Sequence, residues 1–461
     1  MGKRILVLGA GRSSSTLIRN LVKFSGAEGF SVRVGDLDEA LAQSKINGVK
    51  GENGMETRAS AFRLDADDAA ARKAEIAAAD IVVSMLPAFM HPAVMADAIE
   101  AGCHAITPSY VSPEMAELGD AAANKGVMLI NELGLDPGID HMSAMAAIDE
   151  IRDAGGQMTS FESYTGGLVA RESDDNPWHY KFTWNPRNVV LAGQGGSATY
   201  LKNGGVELCP PHRLFQEVTP VEVPGEGRFE GYANRDSLGY ADIYGLQGVD
   251  TLVRGTLRGP GFCAGWDALF QLGMNRADAQ VSWPEGLSWR QFTAAFVPGC
   301  GPKSTSEEVA DGVARLTGCD AETMGKLAWL GLFEEAPIGI ERGSPADVLQ
   351  KLLEKKWMLS DTDIDLIVMW HRFKFVDKGG VARVLRSWLT LRGEDYLHTG
   401  MSKTVGLPLA LAARHIARGD WNFSGLVMPT EARVYKPLLA ALAQEGVGFS
   451  EDAGAEAVKG A

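Results

Sequence analysis

Positive charge is in short supply in this chain. Its 461 residues carry 44 lysines and arginines against 59 acidic residues, a formal net charge of −15. A nucleic-acid partner needs a basic face to meet its phosphates, so none is expected. Any anionic ligand must instead be met by individually placed arginines. Cysteine is equally sparse: Cys103, Cys209, Cys263, Cys300 and Cys319 are an odd number, widely spread and without a CxxC pair. That pattern predicts reduced thiols in a cytoplasmic protein and gives no zinc site. The eight histidines show no HExxH or other ligand spacing, and no metal is expected. No apolar run reaches the roughly 18 residues of a membrane span. The N-terminus enters a short apolar strand directly after Met1-Gly-Lys-Arg rather than following a signal-peptide pattern.

A hydrophobic content of 45% and a charged content of 22% are those of an ordinary globular protein. The length suggests about two or three domains. Lys3–Leu8 reads as a strand, followed by Gly9-Ala10-Gly11-Arg12-Ser13 and a helix to about Lys23. The first glycine permits the tight turn, the second lets backbone approach a pyrophosphate, and the helix start offers free N–H groups. Ser14 stands where the third glycine of the usual fingerprint falls. Phe30–Val34 is a second strand ending in Gly35-Asp36, whose carboxylate can accept hydrogen bonds from a ribose diol. The same charge repels a 2′-phosphate at close range, so NAD is expected over NADP unless Arg12 or Arg33 swings in.

Strands then alternate with helices: Ala61–Leu64 ending in Asp65, Asp80–Leu86, His104–Thr107 and Val127–Asn131, with helices over Ala69–Ala78, Pro92–Ala101 and Pro113–Lys125. Six such strands predict a Rossmann-type doubly wound parallel sheet over residues 1–131. Ligands of such sheets bind beyond the carboxyl ends of the strands. Three polar segments fall there: Ser84-Met85-Leu86 running to His91, Thr107-Pro-Ser109-Tyr110, and Asn131–His141 with Asp136 at its centre. Capping and packing roles for Ser84, His91 and Tyr110 are the plainer reading of the same residues, as a linker with helix-capping aspartates is for the last stretch.

The pattern changes near Phe161. Residues 165–184 form a long polar and aromatic stretch in which Trp178, Tyr180, Phe182 and Trp184 argue against disorder, predicting an ordered binding or lid segment. Thr251–Arg258 alternates as a half-buried strand with arginines toward its end. Residues 265–360 have helical spacing with Gly/Pro breaks, and Ile364–Trp370 with Val381–Leu391 read as a strand pair. The expected organisation is an α/β mixed-sheet substrate and dimerisation domain over 132–264 and 361–402, a helical subdomain over 265–360, and C-terminal helices over 403–461 packing back on the first two domains.

Several of these segments occur together, and in the same order, in a known family. Gly9-Ala-Gly11, Ser109-Tyr110, Glu132-Leu-Gly-Leu-Asp-Pro-Gly-Ile-Asp-His141, Asn176-Pro, Tyr180-Lys-Phe182, Asn234-Arg-Asp-Ser237, Arg254-Gly-Thr-Leu-Arg258 and Lys403-Thr-Val-Gly-Leu-Pro408 resemble the saccharopine dehydrogenase (L-glutamate-forming) family. The branch they resemble most is the NAD-using one of lysine degradation. The resemblance implies reversible oxidative cleavage of saccharopine to glutamate and 2-aminoadipate 6-semialdehyde by a homodimer. It implies substrate contacts at Ser109, Tyr110, Asp136, Arg235, Thr256, Leu257 and Arg258, and dinucleotide contacts at Ala10 to Ser13, Asp36, Asp65 and Ser84 to Leu86. One departure stands out: the family often has cysteine in its Ser-Tyr-Cys-Gly-Gly segment, where this chain has Thr165. Asp136, Tyr110 and His91 are the expected proton-handling groups, since oxidising a secondary amine requires a base. Two other readings use the same residues: a dehydrogenase of another amino-acid-derived imine, and a non-catalytic dinucleotide-binding protein.

Overall fold

A computed structural model describes residues 2–455. They fall into two compact units, Met1–Gly155 with Gly393–Ser450, and Gly156–Arg392 with the chain from Glu451.

In the first unit the strands are β1 (Arg4–Leu8), β2 (Ser31–Asp36), β3 (Ala59–Arg63), β4 (Ile81–Ser84), β5 (His104–Ile106) and β6 (Met128–Ile130). They are ordered 6-5-4-1-2-3 and all parallel, the doubly wound arrangement expected from the alternation. Ile5, Leu6, Val7 and Leu8 are all buried, as a central strand covered on both faces must be. The helices are α1 (Ser15–Ser25), α2 (Glu39–Ile46), α3 (Ala69–Ala77), α4 (His91–Ala101), α5 (Pro113–Ala116), α6 (Gly119–Lys125) and α7 (Ile139–Asp153). The single helix expected over 113–125 is thus two, separated at Glu117-Leu118.

A seventh strand, Gly425–Val427, adds in parallel to β6 and comes from the far end of the chain. Three residues without alternation leave no periodic signal to find it by. The helix Gly400–Arg418 lies on α1, where the backbones approach so closely that a Cβ on Gly406 would stand 2.6 Å from the Leu17 nitrogen. Thr16 N–H donates to Ser402 Oγ at 2.9 Å, and the Arg414 guanidinium sits 3.6 Å over the Phe24 ring. The helix Ala432–Gln444 packs on α7, with Tyr435 Oη donating to Asp149 Oδ2 at 2.6 Å. The C-terminal helices therefore complete the first unit, and residues 132–155 belong with it rather than with the second.

The second unit is built on a mixed sheet of β7 (Gln157–Val169), β8 (Ala198–Lys202), β9 (Gly205–Cys209), β10 (Thr219–Val223), β11 (Gly227–Ala233) and β12 (Thr251–Arg258) with the strands Asp365–Val376, Ala382–Arg392 and Ser450–Ala455. β7 is central, parallel to β12 on one side and antiparallel to Asp365–Val376 on the other. The helices of 262–357 do not form a separate body. Trp178, Tyr180 and Phe182 are fully buried and share one core with Phe262, Trp266 and Trp357. This corrects the lid expectation for residues 165–184: Thr165 to Val169 continue β7, and the rings beyond anchor the helices to the sheet. Aromatic rings of this size each bury on the order of 150–250 Å2, which outweighs what a mobile cover would gain by exposing them.

Candidate active site

The turn from β1 into α1 has the form a dinucleotide needs. Gly9 takes φ 98°, and its N–H donates to the Gly35 carbonyl at 2.8 Å. A Cβ there would stand 3.1 Å from the Met85 carbonyl oxygen, whereas over Gly11 nothing lies within 4 Å. Neither the Arg12–Ser14 turn nor α1 has a side-chain cap, leaving backbone N–H groups at a positive helix end for phosphate oxygens. The residues present thus fit a dinucleotide. Arg12 is exposed beside this turn and Ser13 half-buried within it.

Asp36, at the end of β2, does not cap α2; Asp38 does, accepting from the Leu41 N–H. Asp36 Oδ2 instead accepts from the Ala10 N–H at 2.7 Å and Oδ1 from the Asp38 N–H at 2.9 Å. Its two oxygens each hold a backbone N–H, so part of its charge is satisfied within the loop. Arg33 is tied to Glu75 at 3.1 Å and lies 4.3 Å over the Phe62 ring. Asp65 is exposed beyond β3, accepting from the Asp67 N–H. Met85 and Leu86 are half-buried after β4.

Across the carboxyl ends of β4, β5 and β6 the expected polar segments do meet. The buried His91 ring bridges two of them, with Nδ1 2.9 Å from Ser84 Oγ and Nε2 2.8 Å from Ser109 Oγ. Burial pushes its pKa down to about 4, so the ring is neutral near pH 7 and both nitrogens are engaged. Tyr110 Oη donates to Asp136 Oδ1 at 3.0 Å, and both side chains are half-buried.

A second buried set holds these two in place and was not singled out in the sequence. Glu132 has φ 60°, rare for a residue with a side chain. Its Oε1 accepts from the Val111 N–H at 3.0 Å, next to Tyr110, and its Oε2 lies 2.7 Å from His141 Nε2. Asp140 Oδ1 accepts from the Gly138 N–H at 2.6 Å, two residues past Asp136. The only sequence signal was an acid and a histidine nine positions apart around a Pro-Gly turn, which also describes a linker.

The remaining expected residues belong to the second unit. β11 and β12 pair antiparallel, with Glu230 opposite Arg258 and Ala233 opposite Gly255. Arg235 follows β11, exposed, with φ 49°, and the Asn234 N–H donates to the Arg254 carbonyl at 2.9 Å. Asn234 is thus level with Arg254 and Arg235 lies one residue beyond, roughly 16 Å along the strand from Arg258. Arg258 is buried with three rings around its guanidinium, Tyr180, Tyr232 and Phe262, at 5.2 to 5.9 Å. Its Nη1 donates to the Leu257 carbonyl at 2.9 Å, its Nε has no partner, and no carboxylate pairs with it among the described residues. Leu257 is buried, and its carbonyl is already engaged by Arg258. Thr256 is opposite Thr165 on β7, and the buried Thr165 hydroxyl has no hydrogen-bond partner.

The sequence model of the saccharopine dehydrogenase C-terminal domain matches residues 134–447, and that of the saccharopine dehydrogenase NADP binding domain matches residues 5–130. A relative from Saccharomyces cerevisiae, named saccharopine dehydrogenase [NADP(+), L-glutamate-forming], is 34% identical over 96% of this chain and 97% of its own. The mitochondrial alpha-aminoadipic semialdehyde synthase of Rattus norvegicus is 36% identical over 80% of this chain, which covers 40% of that longer protein. The solved apo saccharopine dehydrogenase (L-Glu forming) of S. cerevisiae superposes with a TM-score of 0.88 at 32% identity, covering 98% of this chain and all of that one. The expected preference for NAD over NADP is corrected by these matches: the domain matched is an NADP binding one, and three fungal relatives at 33 to 35% identity carry NADP(+) in their names. Asp36 alone was too narrow a basis, because its oxygens are engaged by the Ala10 and Asp38 N–H groups. With two domain matches covering almost the whole chain, and full-length relatives above 30% identity, this chain belongs to the saccharopine dehydrogenase family.

Proposed function

We propose that this protein oxidises saccharopine, with NADP(+) and water, to glutamate and 2-aminoadipate 6-semialdehyde, a reversible step of lysine metabolism. The observation that carries this reading is the buried Arg258 guanidinium, which has rings around it and no ion-paired carboxylate among the described residues. A buried cation in that state is costly without an anion, and saccharopine brings three carboxylates. Arg235, roughly 16 Å away along the strand, suits a different carboxylate of the same long molecule. Thr256 and the Leu257 backbone flank Arg258, and Ser109 is a further polar contact for the substrate.

The dinucleotide is held by Gly9 to Ser13, Asp36, Asp65 and Ser84 to Leu86, and when bound it supplies the two-electron acceptor. Asp136, hydrogen-bonded to Tyr110, takes up the proton that the secondary amine must lose before its carbon can be oxidised. Water then adds to the C=N carbon, and the same Tyr110–Asp136 pair returns a proton to the departing glutamate nitrogen. His91, neutral and engaged at both nitrogens, fixes Ser84 and Ser109 rather than acting as the base. Thr165 cannot serve as a thiolate, which leaves the oxygen acids of the first unit to move the protons.

No helix of the described residues is long and apolar enough to cross a membrane. A homodimer working in the cytoplasm completes the reading, and light scattering at twice 49.3 kDa would support the dimer. The decisive assay is NADPH formation from saccharopine and NADP(+) by purified protein. No nicotinamide absorbance under conditions where the S. cerevisiae relative turns over would overturn the proposal.

A further inference from the structure

Just past the dinucleotide turn, the first unit contains a cavity of about 520 Å3 flanked by α1, the end of α2 and the helix Gly400–Arg418. Ser15, Arg19 and Lys23, spaced one turn apart, line it along α1, so it extends over roughly 12 Å of that helix. Lys45 and Lys50 enter from α2 and the loop after it, and Lys403 from the C-terminal helix.

These five cations are unevenly matched. Arg19 is bidentate to Glu394 at 2.8 and 2.9 Å, and Lys23 meets Glu52 at 3.0 Å. Lys45 Nζ contacts only a hydroxyl, Ser15 Oγ at 2.5 Å, and neither Lys50 nor Lys403 has an ion-pair partner among the described residues. Glu394 and Glu445 are carboxylates of the lining, and Glu52 on Lys23 and Asp395 near Lys45 add two more, so the five cations exceed these acids by one in a protein whose own charge is −15. Lys45 is also partly desolvated: burial lowers its pKa, Arg12 lowers it further, and Asp395 opposes them. Cations in excess of acids in a concave site focus a field that favours anions. The Thr16 hydroxyl and the Asn20 and Asn47 amides stand among them as donors to phosphate-type oxygens.

We propose that this cavity, which begins at Ser15 beyond the dinucleotide turn and runs along α1, binds a small phosphate-bearing polyanion in addition to the dinucleotide. Lysine ammonium groups act as point charges that suit the several oxygens of such a ligand. The site goes beyond the dehydrogenase reading and does not depend on turnover.

The test is calorimetric titration with pyrophosphate of the full chain already saturated with NADP(+), at fixed ionic strength. A saturable heat with Kd below about 1 mM is expected, weakened about tenfold in the Lys45→Met/Lys403→Met double variant and unchanged in Lys355→Met, a lysine of the second unit. Citrate is expected to bind more weakly than pyrophosphate. Should the double variant fail to fold, the exposed Lys50→Met variant is expected to weaken binding by about threefold. The proposal is overturned by absence of saturable heat, by equal losses in Lys355→Met, by citrate binding as tightly as pyrophosphate, or by binding that vanishes once NADP(+) is bound. Because the readout is heat rather than product, a failed saccharopine assay leaves it standing.

Discussion

The polar groups of the two units are handled in opposite ways. At the carboxyl edge of the first sheet, the His91 nitrogens meet Ser84 and Ser109, Tyr110 donates to Asp136, and both Glu132 oxygens are bonded. In the second unit Arg258 and Thr165 are buried with polar atoms that have no partner. A satisfied network holds loops in register, whereas an unsatisfied buried cation costs stability until a ligand arrives. The first edge is therefore held by bonds within the fold, whereas Arg258 and Thr165 keep buried polar atoms without a partner.

Replacing Arg258 by Met should break that contrast most visibly. Loss of a buried charged contact is expected to lower kcat/KM for saccharopine by roughly 4 kcal/mol, about a thousandfold. The melting temperature of the free protein should hold or rise, because no ion-paired carboxylate is left behind; a clear fall in both would place Arg258 among structural groups. Arg235→Ala removes an exposed contact and is expected to raise the saccharopine KM by about a hundredfold, on the order of 3 kcal/mol, with little change in stability. An unchanged KM would take Arg235 out of the site.

His91 sharpens the other side of the comparison. Its folded pKa of about 4 lies below the ordinary 6.5, so between those values the unfolded chain binds the proton more readily. Stability is then lost as pH falls from about 6.5 toward 4, by up to roughly 3 kcal/mol for this one group. Denaturant unfolding of His91→Gln across that range should show a correspondingly smaller slope. An identical slope would mean the ring is charged in the fold. The smallest effect is expected at Gly406→Ala, where the added methyl presses on the Leu17 backbone: about 1–3 kcal/mol of stability by thermal melting, with KM unaltered if the helix stays docked.

Much of the first unit was legible because its signals are local. Alternating apolar strands and helices, a Gly-x-Gly turn and an acid at the end of β2 all act within a few residues of one another, and the parallel order follows from handedness. The helices of residues 306–330 were readable for the same reason: the capping Thr305 and Asp320 precede apolar periodicity. The three-residue strand Gly425–Val427 carries no such pattern, and the hairpins between 198 and 233 were not anticipated. Trp178, Tyr180 and Phe182 misled because aromatic residues in a polar stretch serve a binding surface or a core equally well. Asp36 misled because a carboxylate whose oxygens both bind backbone N–H groups reads the same in sequence as one that faces solvent.

What the sequence showed by itself depends on residue type and near spacing: the nucleotide-binding sheet and the family motifs, with the arginines and Tyr110, Asp136 and His91 as candidates. Only the tertiary structure decided which of these groups are already bonded and which are left open. Hydrogen-bond satisfaction and burial join residues far apart in the chain, such as Ser84 with Ser109 through His91, or Tyr180 and Phe262 around Arg258. No local pattern encodes those pairings, because they arise only when distant segments close on the same side chain.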